Sequence, residues 1–341
     1  MDRRCRAIVS SLIASCGAAA LAMTTIAAQS PAAAAKPWKL ARTPDGQPDL
    51  QGVWLSRSAT PLERPAALAG KALLTDEELA ALKANAERIF KGGNSDFAAG
   101  DAVFLAALND PDRFTSVTST HGSEEIIERE FDHHTSMVVD PPDGHIPPLT
   151  AEGRRRRETA AARARRPDGA EDLDKAFRCI AWGVPRLGGR YGPGDLGYYQ
   201  IVQSPGYVVL FMETGHEARI VPLDGRPHLG SRAGQLGGDS RGHWEGATLV
   251  IDTINFSPGS NFMGAAEHLH LVERLTRVDA DTIRYEMTFD DPTTWTRPWT
   301  AEMPLKRTEE ALYESACHEG NFEMMTGFLL SAHAGAAADP K

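Results

Sequence analysis

Eleven histidines are spread through this chain, and several stand beside carboxylates. Histidine is the side chain best suited to moving protons near neutral pH and to holding metals. Glu213-Thr214-Gly215-His216-Glu217 closes a long apolar run, and Arg241-Gly242-His243-Trp244-Glu245 opens another. His268 and His270 are spaced to share one strand face, His318-Glu319 follows Cys317 directly, and His133-His134 stand in an irregular polar stretch. One carboxylate stands out by position. Across His268–Asp290, Leu269, Leu271 and Leu275 alternate with His268, His270, Arg274 and Thr276, and Ile283, Tyr285, Met287 and Phe289 alternate on the return. This period of two is a strand with unlike faces.

A three-residue loop, Asp279-Ala280-Asp281, aligns the two apolar rows, whereas a two-residue loop would set apolar against charged. In the favoured register Arg274 faces Glu286, His270 faces Asp290, and Glu273 falls among Leu271, Leu275, Tyr285 and Met287. A carboxylate there is costly, and burial raises its pKa, unless a partner offsets both. If the Leu/Tyr/Met face lines the interior, Glu273 is the acid–base candidate. If the other face does, His270 and Arg274 point inward and Glu273 is structural, paired with Arg277 or another arginine.

The expected catalytic set is therefore Glu273, His270, His216, Glu213 and His318, taking acid and base roles. Arg241, Arg274, Trp244 and Tyr199 are the expected substrate contacts, with arginine holding a carboxylate or an enolate. No cofactor is required by this scheme. A divalent metal is the competing expectation, held by His216, His270 and His318 from neighbouring strands. A local His-x-His metal set is not expected, because Glu273 lies on the opposite strand face from His268 and His270. No Gly-x-Ser-x-Gly elbow and no phosphate-binding glycine loop is present. Gly188–Gly197, flanked by Tyr191, Tyr198 and Tyr199, reads as a loop able to cover a pocket.

These residues need a scaffold of strands. Pro48–Trp54 starts the ordered part, and from Tyr198 onward short strand patterns follow one another: Tyr199–Gln203, Tyr207–Glu213, Ala218–Leu223, Gly242–Glu245, Thr248–Phe256, the hairpin, Trp299–Lys306 and Leu312–Ala316. Such a meander closes into an antiparallel barrel or splits into a β-sandwich, since open edges are a liability. Thr75–Lys91 reads as a helix capped by Thr75 and Glu78 and ended by Gly92-Gly93. Thr150–Arg166 is a second helix, its run Arg154–Arg157 a solvated face.

The opening Gly52-Val53-Trp54 resembles the first strand of lipocalin-type barrels. Four longer segments resemble a family of exported bacterial proteins: PDLQGVW at 48–54, GDSRGHWEGATLVIDTINF at 238–256, LHLVERLTRVDADTIRYEMT at 269–288 and ACHEGN at 316–321. The resemblance implies export. It supplies no reaction and carries no site residue across.

Arg3, Arg4 and Arg6 precede an apolar run to Ala28 and small residues to Ala35, the pattern of a secretory signal. Ile13–Cys16 offers the minority alternative of a lipid anchor at Cys16. Removing residues 1–35 removes a net charge of +2 from a chain of −10, leaving −12. That argues against nucleic acid or an anionic membrane as partner, though not against local basic patches. Later residues hold no run long and apolar enough to span a bilayer. Only Cys179 and Cys317 then remain, a pair expected to form a disulfide outside the cytosol.

The resulting expectation is a mainly β protein, a lipocalin-like antiparallel barrel or else a β-sandwich, with two or three peripheral helices. Residues 36–180 would wrap or lid a barrel core at 181–330, with a tail at 331–341. The expected function is periplasmic or secreted acid–base catalysis (a lyase, isomerase or hydrolase) on a small organic or saccharide-like molecule in a β-core pocket. A non-catalytic carrier of a lipophilic ligand and a histidine-ligated metalloenzyme are the alternatives.

Overall fold

The computed structural model describes residues 38–91, 102–110, 130–173, 178–179, 184–185, 198–213, 216–258, 262–314 and 316–338. The signal segment, Cys16 and the Gly188–Gly197 loop, apart from Tyr198 and Tyr199 beside it, lie outside these residues.

Ten strands form one antiparallel sheet: β1 Gly52–Leu55, β2 Val138–Asp140, β3 Tyr198–Ser204, β4 Tyr207–Met212, β5 Glu217–Pro222, β6 Asp239–Glu245, β7 Thr248–Ile254, β8 His270–Arg277, β9 Thr282–Asp290 and β10 Trp299–Thr308. Their order is β5-β4-β3-β1-β10-β9-β8-β7-β6, with β2 added beside β10. The sheet curls until it is nearly a closed barrel. The N-terminal β1 joins the two halves, pairing Val53 with Thr308 on one side and Gln200 on the other. At the remaining seam β5 packs against β6 through Gly242. A Cβ there would lie 2.7 Å from Leu223 and 2.8 Å from Val221, so the close approach depends on its absence.

The β8–β9 register is the expected one. His270 pairs with Asp290, Glu273 with Met287, Arg274 with Glu286 and Leu275 with Tyr285, and Val278 N–H donates to Thr282 O at 3.0 Å to close the three-residue loop. The apolar rows face inward. Leu271, Met287 and Phe289 are fully buried there, and Phe289 stacks on Trp299 and Phe262 at 4.2 and 4.8 Å between ring centres. The strand expected over Leu312–Ala316 is not found among the described residues: β10 runs on to Thr308, residues 309–314 are irregular, and Tyr313 is 73 % exposed rather than covered by a neighbouring strand.

Four helices of two turns or more occur among the described residues: α1 Asp76–Lys91, α2 Ala102–Asn109, α3 Ala151–Arg165 and α4 Asn321–Ala338. α1 starts with the expected capping box: Thr75 N–H donates to Glu78 Oε2 at 2.8 Å and Glu78 N–H to Thr75 Oγ1 at 3.3 Å. It buries Leu82, Ala86 and Ile89 with Val103 and Phe104 of α2 in a second, smaller core. α3 starts at Thr150, whose hydroxyl accepts from Gly153 N–H at 3.0 Å. α4 extends to Ala338, into the residues read from the sequence as a tail. Cys179 and Cys317 form a disulfide, their Cα atoms 5.8 Å apart, just before α4.

Candidate functional site

The expected site residues divide between the two sides of the barrel wall. Glu273 is fully buried on the inner face of β8. Its partner is Arg219 of β5 rather than Arg277. Arg219 reaches across the interior with Nη1 3.2 Å from Oε1 and Nη2 2.5 Å from Oε2. The Tyr285 hydroxyl donates to Oε1 of the same carboxylate, and Tyr199 sits edge-on to Tyr285, ring centres 6.3 Å apart. Burial, reinforced by the Glu273 charge, pushes the Tyr285 phenol well above its ordinary value. Trp244, half-buried, packs against this core from β6. Arg277 lies instead over the Trp54 ring and donates to Asp49 O at 2.9 Å.

His270, Arg274 and Arg241 are on the outer face, so the expected meeting of Glu273 with His270 does not occur. Adjacent odd and even positions of one strand point to opposite sides. His270 Nε2 lies 2.8 Å from Asp252 Oδ2, and that bond outweighs burial to raise its pKa above 6.5. Arg274 pairs with Glu245 at 2.7 Å, not with the Glu286 it faces in register. Arg241 binds Asp239 Oδ1 at 2.5 Å. His228, not singled out from the sequence, bridges Asp239 and Asp252 at 3.0 and 2.9 Å. His216 and His318 are exposed. His216 stands edge-on to Phe211, and Glu213 accepts the Tyr313 N–H at 3.1 Å. The proposed His216–His270–His318 metal set is therefore not assembled, and among the described residues no group of three or more potential ligands is placed to hold a metal.

A different set of side chains shares a concavity. On the outer face of β9 and β10, a cavity of about 260 Å³ is lined by Thr282, Arg284, Glu302 and Pro304, with Ser58, Thr60, Asp132 and His134 closing it from two loops. Backbone bonds tie the loop segments together, Ala59 N–H to Glu130 O at 2.9 Å and Leu74 N–H to His133 O at 2.7 Å, and Glu302 N–H to Met137 O at 2.8 Å joins them to the wall. Asp132 is a local organiser. Its Oδ1 accepts the His134 backbone N–H at 2.7 Å and lies 3.2 Å from His134 Nδ1. Thr60 Oγ1 donates to the same oxygen at 3.3 Å, and Ser58 Oγ accepts the Thr60 N–H at 3.1 Å. The ring is held through Nδ1, which leaves Nε2 as its working nitrogen.

The electrostatics separate these groups. The Asp132 bond raises the pKa of His134 above 6.5, against burial and with help from Glu302. Burial opposes ionisation of Asp132, but its bonds to His134 prevail and hold it below 3.8. Burial first, and Glu286 second, raise Glu302 above 4.5, partly offset by His134 and Arg284. Arg284 lies 3.4 Å from Glu286 and 4.0 Å from Glu302. Perturbed groups gathered in one cleft make it a candidate functional site.

Beyond the His133-His134 pair, the cleft is not legible in the sequence, because its members come from residues 58–60, 132–134, 282–284 and 302–304. Its one local signal is Asp132-His133-His134, a carboxylate two residues before a histidine. No family model, curated protein or solved structure matches the chain.

Proposed function

We propose that this protein is an exported enzyme performing acid–base chemistry on a small organic molecule, with the outer cleft of β9 and β10 as its site. The observation that carries this reading is that Glu302 and the Asp132-held His134 face one cavity with displaced pKa values. Glu302 is a carboxylate above its raised pKa, and His134 is an imidazolium below its own raised pKa. Glu302 then takes a proton from a substrate C–H or O–H, its raised pKa making it a stronger base than an exposed glutamate. His134 gives a proton from Nε2 to a developing oxyanion or leaving group, and Asp132 stabilises the ring's charge before transfer. Arg284 and the Thr60 and Thr282 hydroxyls are the substrate contacts. This pattern suits proton abstraction followed by isomerisation or elimination. Export is supported by the signal pattern at 1–35 and by the Cys179–Cys317 pair.

The test is solvent-proton exchange. Incubating the processed protein in heavy water with a panel of small hydroxy acids, keto acids and sugars should give deuterium incorporation or turnover for one class, read by NMR. Glu302→Gln and His134→Asn should each lower that rate by about 10²–10⁴-fold. Exchange surviving both substitutions, or no compound exchanging, overturns the reading.

A further inference from the structure

One end of the outer cleft carries positive charge that its own carboxylates leave partly unmatched. Arg284 stands on β9 between Thr276 and Pro304, neither of them charged. Its two ion-pair contacts, 3.4 Å to Glu286 and 4.0 Å to Glu302, are both made by Nε. Among the described residues neither Nη donates a hydrogen bond, and the side chain is 47 % exposed. Lys306 is the second such group. Its Nζ donates to Thr282 Oγ1 at 2.9 Å, its strand neighbours are Thr282 and Leu55, and among the described residues it has no acidic partner.

The hydroxyls of the lining offer hydrogen bonds of both senses. Thr282 accepts from Lys306 and keeps its own O–H to give. Ser58 Oγ accepts the Thr60 N–H and likewise keeps its O–H. Thr60 gives its O–H to Asp132 and keeps lone pairs to accept. Such a lining suits a molecule rich in hydroxyl groups. The cavity of about 260 Å³ is smaller than the about 300–1,000 Å³ common for drug-sized ligands, so its occupant is small.

We propose that the substrate is a small sugar acid, an α,β-dihydroxy carboxylic acid whose carboxylate is held by the Arg284 fork with Lys306 adding charge, and that the reaction is its dehydration to an α-keto acid. This rests on Glu302 and His134 being the acid–base pair of the cleft. A planar guanidinium presents paired N–H groups that match a carboxylate. Glu302 Oε2 lies 4.0 Å from Arg284 Nε, so a carboxylate on that fork sets its α-C–H beside the base. The guanidinium also stabilises the charge that collects on the carboxylate when this proton leaves. Glu302 takes the α-proton, and the C–H electron pair moves into an enediolate whose oxygens stay on Arg284. The β-C–O bond then breaks as His134 protonates the departing hydroxyl, releasing water and an enol that tautomerises to the keto acid. Solvent carries one proton from Glu302 back to His134. The acid loses water only, with no oxidant or reductant. A neutral sugar would leave Arg284 and Lys306 unmatched. A phosphate ester would match them, but its phosphate does not acidify a neighbouring C–H, so Glu302 would have no proton to take.

Titration calorimetry of the processed protein near neutral pH with gluconate, galactonate and mannonate, each against its alditol and against glucose phosphate, tests this. At least one acid should bind about tenfold or more tighter than its alditol. Arg284→Gln should lower that affinity at least about tenfold, Lys306→Gln about threefold, and Arg284→Lys should recover part of the loss, restoring charge without the fork. Glu302→Gln should keep the preference for the acid. Wild type should convert the bound acid to its α-keto acid in NMR, and Glu302→Gln should not. Equal binding of acid and alditol, no binding of any of the acids, tighter binding of glucose phosphate, or undiminished binding by Arg284→Gln overturns the proposal. Proton exchange on neutral sugars alone overturns the substrate class and leaves the acid–base reading standing. Acid-selective, Arg284-dependent binding with neither exchange nor keto acid overturns the acid–base reading and the dehydration, and keeps the carboxylate site.

Discussion

Glu273 and His134 each stand beside an opposite charge, Arg219 and Asp132, yet they are enclosed to different degrees. Glu273 is fully enclosed, so its charge is committed to Arg219 and Tyr285. Glu273→Gln leaves the Arg219 guanidinium buried without its counter-charge and should cost about 3–5 kcal/mol in chemical denaturation. Replacing both partners with Met should recover most of that loss, since a buried pair is worth little over apolar packing of similar volume. His134 stands at a cavity wall and can exchange protons with a bound molecule. Activity should therefore follow a bell in pH. Its acid limb lies above 4.5, where Glu302 loses its proton, and its alkaline limb above 6.5, where His134 loses its own. A rate rising monotonically with pH would contradict this assignment of base and acid. The outer His270–Asp252 pair affects stability instead. His270 has a raised pKa, so its contribution is full below 6.5 and disappears as pH rises through the raised value. Asp252 is held low, chiefly by the His270 bond, so its share is full above 3.8 and disappears as pH falls through the lowered value. The Tm difference between wild type and His270→Asn should thus be largest between these limits and vanish in alkali.

The elements that hold these residues depend on a few local devices. The barrel seam has no ladder between β5 and β6. It is held by the Arg219–Glu273 pair across the interior and by the close approach at Gly242. Gly242→Val places atoms where Val221 and Leu223 already lie, and should cost about 1–3 kcal/mol, read as a lowered Tm. β9 and β10, with their own ladder intact from Trp299–Phe289 to Lys306–Thr282, should be affected less, so hydrogen exchange should rise first in β5 and β6. The cap of α1 is a second such device. Thr75→Ala removes one half of the capping box and should cost about 0.5–2 kcal/mol, loosening the α1–α2 core without disturbing the barrel.

At the scale of the molecule, a disulfide 138 residues apart in sequence closes the chain from the middle to the base of α4. Reduction should cost about 2–5 kcal/mol, seen as a lower denaturation midpoint in reductant. Much of this architecture was legible beforehand. The alternation of Leu271, Leu275, Tyr285 and Met287, the loop at Asp279–Asp281 and the caps at Thr75 and Thr150 are local patterns. Local patterns determine strand faces, register and helix starts, because the interactions that enforce them span only a few residues. Net charge was a poorer guide, since a total of −10 averages away the arginines of α3. What the sequence by itself determined was the β8–β9 hairpin, its anomalous Glu273, the mainly β barrel and the cysteine pair. Only the tertiary structure decided that the Leu/Tyr/Met face turns inward, that the partner of Glu273 is Arg219, 54 residues away, and that Asp132 and His134 come to face Glu302. Closure of the sheet makes those choices. Which strand meets which across the barrel, and which loop lies over its wall, depends on contacts between distant residues that no short stretch of sequence records.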